Sequence, residues 1–243
     1  TIVAPPPNDF GDAPESGTSF PTTTNNNGAA HLVGAGVSLG LLVEGDPDGQ
    51  PTILADGDDI YDGTPDEDGV LLASGFLVPG ATNTVPIAAS TNGFLSVWID
   101  FYGDLDWNDP GENVALDAPI LAGTNNLPLF VPPTGLPSGT PIYARLRFSV
   151  QQLTSQIPPP EYAGLAGTVP GEVEDYVVPV GEEGESYFDW GDAPESGSLF
   201  PTTGTNNGAV HLVLPGVFLG QLVDLEADGQ PTPGADGDDK NPA

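Results

Sequence analysis

The sequence has no cysteine and no methionine, and only three of its 243 residues are basic: Arg145, Arg147 and Lys240. The lack of cysteine excludes disulfides and thiolate-based metal or redox sites. The lack of cations excludes nucleic-acid binding by phosphate neutralisation. No apolar run is long enough to span a bilayer, so we expect no membrane insertion.

Acidic residues, glycine and proline are abundant instead. Thirty-five Asp and Glu give a formal net charge of −32, and 33 Gly with 28 Pro make up a quarter of the chain. The hydrophobic fraction of 38% still provides material for a folded core. Because a compact body of this charge repels itself, we expect salt or bound divalent cations to offset the charge.

One segment of the sequence occurs twice. Residues 10–60, here called copy 1, reappear without a gap at 190–240, called copy 2, and about two-thirds of the paired positions are identical. This pattern is typical of one full repeat and the start of another, as in a longer array. It predicts an acidic loop-rich segment at 1–70, a β-domain at 71–181 and a partial second repeat at 182–243.

Short alternating runs predict strands. Residues 142–150 place five apolar side chains on one face, with Tyr143, Arg145 and Arg147 on the other. No helical periodicity is sustained, and prolines interrupt every candidate. The fold class predicted is all-β, an antiparallel β-sandwich with long acidic calcium-binding loops. The other predicted strands are 69–76, 84–89, 94–101, 127–131 and 173–180, with short ones at 31–33 and 39–43.

An acidic loop follows the predicted strand 94–101. Its oxygen-bearing side chains occupy places one, five, seven, nine and thirteen of the loop, which suits a hard cation such as Ca²⁺. Tyr102 departs from an EF-hand loop at the third place, and no helix is predicted to follow. The alternative is a solvated acidic turn. The predicted ligands are Asp100, Asp104, Asp106, Asn108 and Glu112.

A second acidic group has seven carboxylates within residues 56–68 and no Lys or Arg. We expect cation binding here too, the alternative being a disordered acidic linker. The predicted ligands are Asp56, Asp58, Asp59, Asp62, Asp66 and Asp68. Residues of the two copies are expected to join these sites: Asp12, Asp48, Asp192, Asp228, Asp236, Asp238 and Asp239.

The remaining polar residues indicate structural roles. His31 and His211 occupy equivalent repeat positions, and a lone His without Cys is a poor zinc site. Arg145 and Arg147 need carboxylate partners on a neighbouring strand, with Glu172, Glu174 and Asp175 as the candidates. No pair of carboxylates stands out as catalytic, so we expect no enzyme activity.

The motifs together resemble the GEVED-domain family of secreted and cell-surface bacterial repeat proteins. Residues 171–176 spell Gly-Glu-Val-Glu-Asp-Tyr, residues 98–112 are similar to the acidic loop of that family, and residues 143–147 to its Arg-bearing strand. The segments GDAP, DGQP, GDD and DEDGV within residues 11–70 resemble the region that often precedes such domains. The resemblance implies an extracellular, non-enzymatic, calcium-associated protein found in repeated arrays.

These observations lead to one functional expectation and one alternative. We expect a calcium-stabilised structural subunit or repeat of an extracellular bacterial filament, surface layer or adhesin stalk. Its partners would be copies of itself, assembled head-to-tail. The alternative is an adhesin or accessory module of a secreted protein that binds carbohydrate, protein or another surface ligand.

Overall fold

A computed structural model describes residues 8–57, 66–70, 77–133, 142–158, 161–178, 188–195, 200–206, 208–212 and 228–237. The chain divides into two compact units. The larger unit comprises residues 1–136 with 142–180, and the smaller unit comprises residues 137–141 with 181–243. Within the described residues, no helix is long and apolar enough to cross a membrane.

The larger unit contains eight strands among its described residues. They are β1 (Asn8–Phe10), β2 (Ala30–Leu32), β3 (Thr82–Ala89), β4 (Gly93–Ile99), β5 (Asn113–Ile120), β6 (Gly123–Phe130), β7 (Ile142–Ser149) and β8 (Ala166–Val178). Six form one sheet in the order β1–β2–β8–β7–β4–β5, and β3 pairs with β6 in a separate two-stranded sheet. The all-β prediction is therefore confirmed.

The large sheet is mixed rather than wholly antiparallel. Strand β2, from copy 1, runs parallel to β8, whereas β8, β7, β4 and β5 pair antiparallel. Copy 1 and the two residues before it thus supply strands β1 and β2 to the same sheet as the alternating strand that carries the arginines. Residues 8–32 belong structurally to the β-domain, although more than a hundred residues separate them from β8 in sequence.

The two faces of the large sheet are buried in different ways. On the inner face, apolar side chains of β4 and β7 such as Leu95, Val97 and Leu146 pack against Val85 and Ile87 of β3. On the outer face, Trp98 and Tyr143 pack under loops that include Phe20 and Trp107. The alternation predicted for residues 142–150 is confirmed, since apolar and polar positions of β7 separate cleanly between these faces.

Some strand predictions were wrong. Residues 39–43 do not form a strand, because Gly40 takes a positive φ of 52° that ends the extended run. Leu39 keeps one isolated bridge, to Ala89. Strands β1 and β5 were not predicted. Most of the strand predicted at 69–76 lies outside the described residues.

The smaller unit repeats the local structure of copy 1. Strands β9 (Phe188–Trp190) and β10 (Val210–Leu212) pair antiparallel, with Asp189 opposite His211. The same register joins β1 and β2, where Asp9 lies opposite His31. The same pairing therefore forms in both units, although Asp9 and Asp189 are the one identical pair between strands β1 and β9.

Candidate metal centres and the docking face of copy 1

Three predicted ligands of the acidic loop lie together. Oxygens of Asp100, Asp104 and Glu112 are all within 4.8 Å of one another. Among the described residues, no other set of three His, Asp or Glu side chains converges this closely. Asp100 stands at the end of β4, and Glu112 stands directly before β5. Because β4 and β5 are paired, the loop between them returns Glu112 to Asp100.

Hydrogen bonds stabilise this loop, but one buried carboxylate oxygen has no hydrogen-bond donor. Asp100 accepts N–H bonds from Gly103 at 2.6 Å, Asp104 at 3.2 Å and Leu105 at 3.0 Å. Glu112 Oε2 accepts from the Asp109 N–H at 3.1 Å, whereas Glu112 Oε1 is buried without a hydrogen-bond partner. A buried carboxylate oxygen without a donor is costly unless a cation or a proton satisfies it.

The electrostatics of the loop agree with a cation site. Burial raises the pKa of Asp100 to about 6 and that of Glu112 to about 7, and the charge of Asp100 adds to the effect on Glu112. Burial, Asp106 and Asp109 raise the pKa of Asp104 in the same direction. The site concentrates negative charge that a divalent cation would offset.

The other predicted ligands of this loop are placed differently. Asp106 Oδ1 accepts the Asn108 N–H at 2.8 Å, which forms a local turn. Asn108 is exposed. Neither belongs to the group formed by Asp100, Asp104 and Glu112.

Carboxylates of the second predicted group mostly accept hydrogen bonds within their own segment or from copy 1. Asp56 accepts from the Thr52 hydroxyl at 2.7 Å, Asp66 from the Glu44 N–H at 2.9 Å and Asp68 from the Leu41 N–H at 2.8 Å. These bonds fasten loops to one another. Asp58, Asp59, Asp62, Asp238 and Asp239 lie outside the described residues.

Carboxylates of the copies act in the same way. Asp48 Oδ1 accepts the Thr24 N–H and Asp228 Oδ1 accepts the Gly204 N–H, both at 2.6 Å. The remaining described members also accept hydrogen bonds: Asp12 from Gln50 N–H, Asp192 from Gly237 N–H and Asp236 from Thr232 Oγ1.

Asp175 is the carboxylate partner of the arginines. It faces Arg145 directly across β7 and β8 and accepts from Nε at 2.7 Å and Nη2 at 2.6 Å, with both side chains fully buried. Glu172 and Glu174, the other candidates, are wrong, because the pleat directs alternate residues of β8 to the inner face. Arg145 also lies 4.6 Å from the ring centroid of Trp107.

Arg147 is held by hydrogen bonds to carbonyls and to a histidine. It donates to the carbonyls of Tyr162, Gly164 and Ala30 at 3.0, 2.6 and 3.1 Å, and its Nη2 lies 3.2 Å from His31 Nε2. Burial and the charge of Arg147 hold the pKa of His31 well below its ordinary value. A neutral His31 accepts from Arg147, as the predicted structural role implies.

The outer face of the sheet holds copy 1 in place through its backbone. The Ala13 N–H donates to Asp175 Oδ2 at 2.7 Å, and the Pro21 carbonyl accepts from Arg145 Nη1. Gly11 is required here, because a Cβ would collide with the Asp175 carboxylate. The GDAP motif therefore docks copy 1 onto the Arg145–Asp175 pair.

Copy 2 repeats internal hydrogen bonds of copy 1. Thr22 Oγ1 donates to the Ala13 carbonyl at 2.8 Å, and its twin Thr202 donates to Ala193 at 2.7 Å. Phe20 is 0% exposed, however, and its twin Phe200 is 56% exposed.

Part of the chain matches a known protein family. The family model of the GEVED domain matches residues 94–179, which run from β4 through the end of β8. No curated protein and no solved structure matches the chain. The match begins downstream of copy 1, so strands β1 and β2 lie outside it.

Proposed function

We propose that this chain, whose residues 94–179 are a GEVED domain, is a calcium-stabilised structural repeat of an extracellular bacterial filament, surface layer or adhesin stalk. Its role is non-enzymatic, and its partners are copies of itself. Assembly is head-to-tail: copy 2 of one chain takes the position of copy 1 on the outer sheet face of the next chain, whose own copy 1 is displaced.

The exposed side of copy 2 carries this proposal. Copy 1 buries Phe20 beside Trp107 and Tyr143, and Ala30 within β2, whereas the twins Phe200 and Val210 are 56% and 38% exposed. The described interface of copy 1 therefore specifies what fits copy 2: a sheet face with a buried Arg–Asp pair and the ring of Trp107. Exchange of near-identical elements between chains is a low-cost route to assembly. In a tandem polypeptide the same contact joins successive repeats.

Calcium has a defined place in this proposal. Asp100, Asp104 and Glu112 would hold the ion, since their oxygens converge and Glu112 Oε1 is buried without a donor. The ion would offset the charge of three carboxylates and fix the loop between β4 and β5. That loop packs on copy 1, where the Ser19 N–H donates to the Leu105 carbonyl at 2.8 Å.

The test compares assembly of the full chain with that of a chain lacking residues 190–243, in millimolar calcium. Velocity sedimentation and negative-stain microscopy are expected to show polymers for the full chain and single subunits for the deletion. Polymers formed without residues 190–243 would overturn the head-to-tail contact. A monomeric full chain that binds on a glycan array would favour the carbohydrate-binding alternative.

Two matched point variants sharpen the test. Phe200→Asp places a charge on the side expected to be covered, so assembly should be lost. Thr205→Asp adds the same charge at a position whose twin, Asn25, is exposed in copy 1, so assembly should persist. Equal behaviour of the two variants would contradict the proposed surface.

A further inference from the structure

The acidic loop between β4 and β5 makes two kinds of contact. Its ends bring the carboxylates of Asp100 and Glu112 together with that of Asp104. Its middle, at Leu105 and Trp107, contacts copy 1 instead. The loop that would hold calcium is therefore also part of the face on which copy 1 docks.

Copy 1 reaches the middle of this loop through two adjacent residues. The Ser19 N–H donates to the Leu105 carbonyl at 2.8 Å. The ring of Phe20 lies 4.2 Å from that of Trp107 and 5.4 Å from that of Tyr143, centroid to centroid. These contacts bury the Phe20 ring completely and pack the Trp107 ring against copy 1.

Two short links join these contacts to Asp100. The Leu105 N–H donates to Asp100 Oδ2 at 3.0 Å, so Leu105 bonds to the predicted ligand through its N–H and to copy 1 through its carbonyl. The Tyr143 carbonyl accepts the Asp100 N–H at 2.9 Å and Trp107 Nε1 at 3.4 Å. A displacement of copy 1 is therefore transmitted to Asp100 through one or two residues.

The backbone of Leu105 makes this link sensitive to both partners. Its φ of 68° lies in the left-handed region, which is unfavourable for a residue with a Cβ. Such a conformation persists only where surrounding contacts hold it. Loss of either the bond to Asp100 or the bond to Ser19 would allow Leu105 to relax, and the other bond would weaken as a result.

We propose that calcium binding by Asp100, Asp104 and Glu112 is coupled to the docking of copy 1, with Ser19 and Phe20 as positioning residues. The inference rests on the proposed calcium site and adds a regulatory partner to it. The bound ion would fix the loop in the conformation that accepts copy 1, and docked copy 1 would hold Asp100 in place for the ion. Since such coupling is reciprocal, each event strengthens the other by the same factor.

The competing explanation is a loop that keeps its shape without copy 1. Asp100 Oδ1 accepts the N–H groups of Gly103 at 2.6 Å and Asp104 at 3.2 Å, and both bonds lie within the loop. If these bonds are sufficient to position Asp100, the calcium affinity does not depend on copy 1.

Isothermal titration calorimetry of the full chain with calcium tests the coupling, at a concentration where the chain is monomeric. The signal of this site is the one that E112Q removes. Phe20→Ala should weaken the affinity of this site at least about fivefold, the lower end of typical couplings between sites, with the number of bound ions unchanged. Phe200→Ala alters the exposed twin and should leave the affinity as in the wild type.

The outcomes separate the coupling from the calcium site itself. A wild-type affinity in Phe20→Ala, with the signal that E112Q removes still present, would overturn the coupling and leave the site. Equal weakening by Phe20→Ala and Phe200→Ala would also contradict the coupling. Titration of the wild type without any signal that E112Q removes would overturn both the site and the coupling.

Amide hydrogen exchange, followed by NMR, provides a second test that needs no substitution in copy 1. The Ser19 N–H donates to Leu105 across the docking face, whereas the Gly208 N–H donates to the Thr203 carbonyl within copy 2 at 2.8 Å. In EDTA at matched ionic strength, and in E112Q with calcium, exchange at Ser19 should be at least about fivefold faster than in the calcium-loaded wild type. Exchange at Gly208 should not change. Equal exchange of Ser19 in calcium and in EDTA, or an equal acceleration at Gly208, would contradict the coupling.

Discussion

Copy 1 and copy 2 share about two-thirds of their sequence and several internal hydrogen bonds, yet they differ in burial. The Thr52 hydroxyl donates to Asp56 at 2.7 Å, and its twin Thr232 donates to Asp236 at 2.8 Å. His31 is fully buried beside Arg147, whereas His211 is exposed. Local sequence therefore determines the loop structure of the module, and contact with strands β4, β7 and β8 determines which of its side chains are buried.

Disruption of the Arg145–Asp175 pair, which holds copy 1 but has no described counterpart for copy 2, is expected to have the largest effect on stability. Arg145→Met would leave the Asp175 carboxylate buried without its cation, and we expect a loss of roughly 3–5 kcal/mol from the stability of the larger unit. Urea unfolding followed by tryptophan fluorescence measures it. The double variant R145M/D175N should recover much of the loss, because the asparagine side chain carries no charge and its amide oxygen still accepts the Ala13 N–H. A loss below about 1 kcal/mol in R145M would contradict this role.

A pair of equivalent substitutions compares the copies directly. Phe20→Ala removes a ring that lies 4.2 Å from Trp107, centroid to centroid, so we expect a loss of about 3 kcal/mol. Phe200→Ala alters an exposed ring, and a single chain should change by less than about 0.5 kcal/mol. Both values come from urea unfolding under conditions where the chain is monomeric. Equal losses would show that the two copies are packed alike in solution.

The smallest effect concerns the two histidines. The folded-state pKa of His31 is lowered, so the unfolded chain binds a proton that the folded chain does not as the pH falls below about 6.5. Stability from this group is present above that pH and is lost below it, by up to about 1.4 kcal/mol per pH unit.

The measurement is urea unfolding from pH 7 to 5 at saturating calcium. His31→Gln should reduce the slope of unfolding free energy against pH by the equivalent of about one proton. The glutamine amide can still accept a hydrogen bond from Arg147 but does not titrate. His211→Gln is the matched control at an exposed position and should leave the slope unchanged. A wild-type slope in His31→Gln would contradict the assignment.

The sequence was sufficient to predict what depends on short-range pattern. Alternation at 142–150 correctly separated Arg145 and Arg147 from the apolar face. Loop spacing brought Asp100, Asp104 and Glu112 into one set, and the repeat predicted two modules of the same local structure. Whether calcium binds the loop remains a prediction.

Register and long-range pairing could not be predicted in this way. Choosing Asp175 over Glu172 and Glu174 as the partner of Arg145 requires the pairing of β7 with β8, which no local signal gives. The hydrogen bond from the Val173 N–H to Asp9 could not be predicted, because it joins residues that are 164 positions apart in the sequence. One signal was present: Glu172 and Glu174 alternate in phase with Tyr176 and Val178, which marks them as inward-facing.

The parallel pairing of β2 with β8 also has a consequence for synthesis of the chain. Leu32 leaves the ribosome 134 residues before Ala166, the first residue of its partner strand. At translation rates of about 5–20 residues per second, β2 is synthesised roughly 7–27 s before the strand with which it pairs. During this interval β2 lacks the strand with which it pairs in the folded chain. A nascent copy 1 is therefore open to the β8 strands of neighbouring chains before its own β8 exists.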